Sequence, residues 1–65
     1  MKISVNGEYQ HVEAGSLHEV LTRLGYGDQA VATALNESFV PAARRADTPV
    51  SEGDRIEIVA PRQGG

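Results

Sequence analysis

The chain contains no cysteine and no tryptophan, and its only aromatic residues are Tyr9, Tyr26 and Phe39. Without cysteine, neither a disulfide nor a thiolate zinc site is available, which fits a reducing compartment. No apolar run approaches the roughly 20 residues that a membrane-spanning helix requires. The opening Met1-Lys2-Ile3-Ser4-Val5 is too short and too strictly alternating for a secretory signal. Basic residues are also scarce: six Lys and Arg against nine Asp and Glu give a formal net charge of −3. The one adjacent basic pair, Arg44-Arg45, is followed closely by Asp47. The clustered cations that neutralise nucleic-acid phosphates are therefore lacking. Neither a nucleic acid nor a membrane is expected as a partner, and a cytoplasmic protein is the expectation. A mildly acidic surface suits docking to basic patches on another protein.

Chemistry-bearing clusters are equally thin. His11 and His18 have no further ligands at metal-binding spacing, so no metal site is expected. Glu8, Glu13, Glu19, Asp28 and Glu37 are scattered without the paired spacing of general acid–base catalysis. Gly25-Tyr26-Gly27 lacks both the third glycine and the preceding strand of a dinucleotide-binding turn, and no phosphate-binding loop of the Walker type occurs. With 65 residues, 40 % of them hydrophobic, the chain can build one modest core. It is too small to enclose a substrate and a cofactor away from water. The expectation is a protein that binds no cofactor itself and instead presents a reactive group to a larger enzyme.

What is present is a clear order of elements. Met1, Ile3 and Val5 alternate with polar residues as in a half-buried strand. Asn6-Gly7 is a strong hairpin signal, with a return strand over Glu8 to Glu13 that turns Val12 inward. Ser16 and Glu19 form a capping-box pattern. Leu17, Val20, Leu21 and Leu24 then fall on one helical stripe that ends at Gly25. Ala30 to Leu35 predicts a strand, Asn36-Glu37 a turn, and Ser38 to Val40 a further strand stopped by Pro41. Ala42 to Pro49 reads as irregular with one helical turn around Arg44, and Val50 as an anchor. Glu52-Gly53-Asp54 is a turn into a last strand, Arg55 to Ala60, with Ile56 and Ile58 inward.

One helix needs one sheet face to cover it, giving a two-layer α+β domain over residues 1–60. The order is strand, strand, helix, then three strands in a mixed sheet, with the last strand central and parallel to the first. Residues 61–65 form a C-terminal tail, Pro61-Arg62-Gln63-Gly64-Gly65. Tyr9, Phe39 and Val59 are expected on the sheet face away from the helix as a partner-docking patch. The short strand leaves the register open, so Phe39 could equally be core.

This order resembles the ubiquitin-like β-grasp fold, and its details are similar to the ThiS family of sulfur carriers in thiamine biosynthesis. The matching stretches are Val5-Asn6-Gly7, Ala34-Leu35-Asn36 followed by Phe39-Val40-Pro41, Val50 with Gly53-Asp54-Arg55-Ile56-Glu57-Ile58, and Gly64-Gly65. Pro61-Arg62-Gln63 departs from the more apolar residues that many relatives carry there. The alanine-rich third strand implies a smaller apolar patch than theirs.

The resemblance implies that the working group is the carboxylate of Gly65. An E1-like enzyme of the ThiF type would adenylate it with ATP, and a persulfide donor would convert it to a thiocarboxylate. A thiazole synthase of the ThiG type would then consume the sulfur. Arg62, Gln63 and Gly64 would thread into the partner's active site. The physical chemistry is consistent with this. A terminal carboxyl has a reference pKa of about 3.3–3.7, so it is an ionised nucleophile at neutral pH. Glycines without Cβ atoms fit a narrow channel, and five extended residues reach roughly 17 Å. Two rival readings remain at the level of sequence. One is the small subunit of molybdopterin synthase, which shares the fold and the Gly-Gly end. The other is a β-grasp binding module whose tail is incidental.

Overall fold

The computed structural model describes residues 1–27 and 29–60. Its first two strands, β1 (Lys2–Val5) and β2 (Glu8–His11), form the expected antiparallel hairpin with Val5 opposite Glu8 and Ser4 opposite Tyr9. Asn6 (φ 51°) and Gly7 (φ 86°) occupy the left-handed region that a tight I′ turn requires. Strand β2 ends at His11 rather than at Glu13. Val12 is half-buried against the core, and its carbonyl accepts from the Met1 ammonium at 2.7 Å.

The helix α1 (Leu17–Arg23) stops one residue before the predicted Leu24. Its start is a complete capping box. The Glu19 N–H donates to Ser16 Oγ at 3.1 Å, and the Ser16 N–H donates to Glu19 Oε1 at 2.9 Å. Its end is a Schellman motif: Tyr26 N–H donates to the Leu21 carbonyl and Gly25 N–H to that of Thr22. Gly25 sits at φ 96°, where a side chain would be strained. These caps satisfy backbone groups that a seven-residue helix, too short to be stable alone, would otherwise leave exposed.

The Glu19 carboxyl lies below its ordinary pKa, chiefly because it accepts the Ser16 backbone N–H and also because Arg23 lies nearby. A depressed carboxylate contributes stability above its unfolded pKa and loses it as pH falls through the folded one. Ser16→Ala is expected to cost about 0.5–2 kcal/mol in denaturant titration at neutral pH. That difference should shrink on acidification below the ordinary carboxylate range. Glu19→Gln should flatten the acid limb that the wild type shows.

The remaining strands are β4 (Ala32–Leu35), β5 (Ser38–Val40) and β7 (Arg55–Val59) in the main sheet, with the short β3 (Gly15–Ser16) and β6 (Pro49–Val50) paired separately. Ala30 and Val31 precede β4 instead of belonging to it. The segment expected to be irregular with one helical turn around Arg44 is a longer 3-10 helix, Ala42–Asp47. Arg45, on that helix, is half-buried: its Nε donates to Thr33 Oγ1 at 3.1 Å and its other guanidinium nitrogen to the Val31 carbonyl. Thr33, the buried polar residue of β4, donates in turn to the Val40 carbonyl. The basic pair is thus split, with Arg45 bracing the fold and Arg44 exposed.

The five-stranded sheet has the order β2-β1-β7-β4-β5. As expected, β7 is central and runs parallel to β1, with antiparallel β4 on its other side. Ile3, Val5, Ile56, Ile58 and Val40 face the helical residues Leu17, Val20 and Leu21, and Val50 closes the same core. The two-layer α+β architecture is the one the periodicities require.

Candidate functional site

Strand β7 alternates strictly: Ile56 and Ile58 are buried, whereas Arg55, Glu57 and Val59 are exposed. Because it lies between β1 and β4, its C-terminal end sits mid-way across one end of the sheet. Ala60 is the last described residue and is exposed. Pro61 and the proposed working residues Arg62, Gln63, Gly64 and Gly65 lie outside the described residues.

Strand register determines which side chains share the outer face. Cross-strand pairs point the same way, so Tyr9 follows Ser4, Phe39 follows Ala34, and Ala32 follows Val59. All three predicted docking residues are therefore on the face away from the helix, with exposures of 74 % for Tyr9, 69 % for Phe39 and 64 % for Val59. This removes the core alternative for Phe39; its neighbour Val40 points inward instead. Phe39 and Val59 flank a shallow depression of about 240 Å³ whose floor includes Ala32 and Ala34, with Glu57 at its side. Ala32 and Ala34 contribute only methyl groups to this apolar patch. Val59 also borders a neighbouring hollow of about 520 Å³ beside Ala30, Ala42 and Arg45.

Tyr9 does not join them. It stands on β2, at the opposite edge from β5, with β1 and the polar part of β7 between. The Lys2 ammonium lies 4.5 Å from its ring centroid. The structure thus brings together two of the three predicted apolar residues.

Among the described residues, no group of three His, Asp or Glu stands close enough to hold a metal ion. His11 and His18 are both exposed. No helix of the described residues is long and apolar enough to cross a membrane. What the described body presents beside the end of β7 is an exposed apolar patch.

Sequence reasoning treated Asn6 and Asn36 as turn residues only, yet both also hold β7. Asn36 Oδ1 accepts from the Arg55 N–H at 2.9 Å, and its amide donates to Asp54 Oδ1 at 3.0 Å. Asn6 Oδ1 accepts from the Ile58 N–H at 2.8 Å, and its amide donates to the Ile58 carbonyl at 3.2 Å. The available signal was the choice of Asn, rather than Asp or Gly, at the first position of each turn.

Residues 3–65 match the ThiS family. The chain belongs to that family. It is 39 % identical over 61 residues to the sulfur carrier protein ThiS of Thermus thermophilus, covering 94 % of this chain and 95 % of that one. The crystal structure of the thiamine biosynthesis protein ThiS from Geobacter metallireducens superposes with a TM-score of 0.85 at 28 % identity, covering all of both chains. The solution structure of a thiamine biosynthesis protein from the same organism gives 0.82, also at 28 % identity, covering all of this chain and 88 % of that one. A thiazole synthase of Paramagnetospirillum magneticum is 36 % identical over 66 aligned positions, which take in the whole of this chain but only 20 % of that protein. As a ThiS protein the chain is a sulfur carrier of thiamine biosynthesis and not a catalyst. These relatives favour the thiamine reading over the small subunit of molybdopterin synthase.

Proposed function

We propose that the sulfur is carried on the carboxylate of Gly65. An E1-like partner of the ThiF type directs that carboxylate at the α-phosphorus of ATP, forming an acyl-adenylate and releasing pyrophosphate. Sulfur from a persulfide attacks the activated carbonyl and expels AMP. A thiol then cleaves the resulting sulfur–sulfur bond, taking its own sulfur into a disulfide and leaving a thiocarboxylate on Gly65. The partner supplies positioning and charge stabilisation, as acyl and phosphoryl transfers require. The carrier binds no cofactor of its own.

The single observation that carries this reading is that the family match runs through to Gly65. A thiazole synthase of the ThiG type is the proposed consumer of the sulfur. The reading is supported by the thiazole synthase in which one fifth of the length aligns with this entire chain. In this division of labour residues 1–60 dock and residues 61–65 react, with Arg62, Gln63 and Gly64 threading into the partner. Phe39 and Val59 form the centre of the docking face and Tyr9 its far margin. The reactions are placed in the cytoplasm.

Expression in cells lacking their own thiazole sulfur carrier tests the pathway. Growth without added thiamine is expected to return, whereas cells lacking the molybdopterin carrier should not recover molybdoenzyme activity. Recovery of the molybdopterin pathway alone would overturn the assignment.

A further inference from the structure

Strand β1 ends at Val5, paired with Ile56, and the chain then turns away at Asn6-Gly7. Strand β7 runs on to Val59 and so outlasts its parallel neighbour. On the other flank the pairing continues, since Val59 lies opposite Ala32. On the β1 flank, however, the N–H and C=O of Ile58 would meet no strand. Leaving such backbone groups unpaired in a half-buried position is costly.

The Asn6 side chain occupies that gap. Its amide accepts from Ile58 N–H and donates to Ile58 C=O at 2.8 and 3.2 Å, across 52 residues of sequence. A primary amide carries a donor and an acceptor in one plane, as a peptide group does. It therefore replaces the strand residue that β1 lacks. The turn alone does not dictate this choice: φ near 51° is open to Gly and Asp as well as to Asn. Asp lacks the donor and Gly lacks both groups. Asn6 is the residue that satisfies the turn and the strand together.

We infer that Asn6 is a positioning residue for the carrier reaction. Its amide fixes the end of β7 and hence the point from which the chain beyond Val59 leaves the sheet toward the partner. The inference rests on the assignment of Gly65 as the reacting terminus. The carboxylate is tethered to that point through the chain, and misplacement of a reacting group by about 1 Å can cost a reaction on the order of a hundredfold. In the docking patch, Phe39, Ala34 and Ala32 lie on β4 and β5, away from this amide, and Val59, although next to Ile58, stays paired with Ala32 on the other flank, so affinity for the partner should survive its loss.

Asn6→Gly keeps the turn conformation and the Asn6 N–H bond to the Ile56 carbonyl but removes the amide. Asn6→Asp keeps the acceptor and sets a second acceptor against the Ile58 carbonyl. In both variants, hydrogen exchange at the Ile58 amide is expected to quicken about tenfold relative to Ile3 and Leu17, the scale of one net hydrogen bond. In thiocarboxylation with a ThiF-type enzyme, ATP and a persulfide donor, kcat should fall at least about tenfold while KM for the carrier stays unchanged. Exchange that rises equally at Ile3, Leu17 and Ile58 would make Asn6 merely structural and overturn the inference. So would an unchanged Ile58 rate, or an unchanged kcat in a variant whose Ile58 exchange has quickened. A wild type that is not thiolated under the same conditions overturns the Gly65 assignment, and with it the role in the reaction; the exchange data then report separately whether Asn6 anchors the strand end.

Discussion

A single alanine added after Gly65 is expected to slow thiocarboxylation at least about a hundredfold while leaving the melting temperature unchanged. The addition moves the terminal carboxylate by up to ~3.6 Å, one residue length. Attack on a phosphorus or carbonyl centre needs the reacting atoms about 3–3.5 Å apart and aligned, so displacement on this scale removes the productive geometry. Deleting Gly65 retracts the group by a similar distance and should be equally damaging. Stability should not respond, because among the described residues the buried core runs from Ile3 to Ile58. Thermal denaturation and intact-mass kinetics on the same samples separate the two quantities. Thiolation of the extended chain at the wild-type rate would favour a binding module whose tail is incidental.

The largest expected loss of stability comes from Leu21→Ala. Leu21 is 3 % exposed, belongs to the stripe that seals α1 onto the sheet, and lends its carbonyl to the Schellman motif at the helix end. Removing its isobutyl group should cost about 2–5 kcal/mol. For a chain of this length the total stability is expected to be only about 3–10 kcal/mol. At roughly 4–8 °C per kcal/mol, the melting temperature should fall by at least about 8 °C. Phe39→Ala is the informative contrast. That ring is 69 % exposed, so stability should change by no more than about 0.5 kcal/mol, while binding to a thiazole synthase or activating enzyme weakens. If Phe39→Ala destabilises as much as Leu21→Ala, the outer face is not a free docking surface.

The sequence patterns that proved most informative were those in which local chemistry and burial agree. Ser16 with Glu19, and Gly25 after Leu24, mark both ends of the helix because capping depends on neighbouring residues alone. The alternation of Arg55-Ile56-Glu57-Ile58-Val59 predicts the facing of the central strand because both of its neighbours are present. Less was legible where pairing is long-range or an element is short. The two-residue strands β3 and β6 have no alternation to read; Gly15 and Ser16 become a strand only because Val50 and Pro49 lie beside them. The 3-10 helix from Ala42 to Asp47 lacks an apolar stripe and none of its residues is buried. It is held instead by Arg45 reaching back to Thr33 and Val31.

The candidate site divides in the same way. Exposure of Tyr9, Phe39 and Val59 follows from strand alternation, but their grouping depends on strand order. Tyr9 and Phe39 belong to opposite edges of the sheet, and only the three-dimensional pairing of β7 with β4 brings Val59 beside Phe39. Asn6 was legible as a turn residue and not as a partner of Ile58, since a contact spanning 52 positions leaves no periodic signature.

The most direct test of the central claim is the mass of the intact wild-type chain after incubation with a ThiF-type enzyme, a persulfide donor and a reducing thiol, with and without ATP. Replacement of one carboxyl oxygen by sulfur adds ~16 Da on the acyl-transfer route. The expected result is that this gain appears only when ATP and the enzyme are both present, and that fragmentation places it on Gly65. A mass unchanged under the complete conditions, or an added sulfur located on any other residue, would contradict the account.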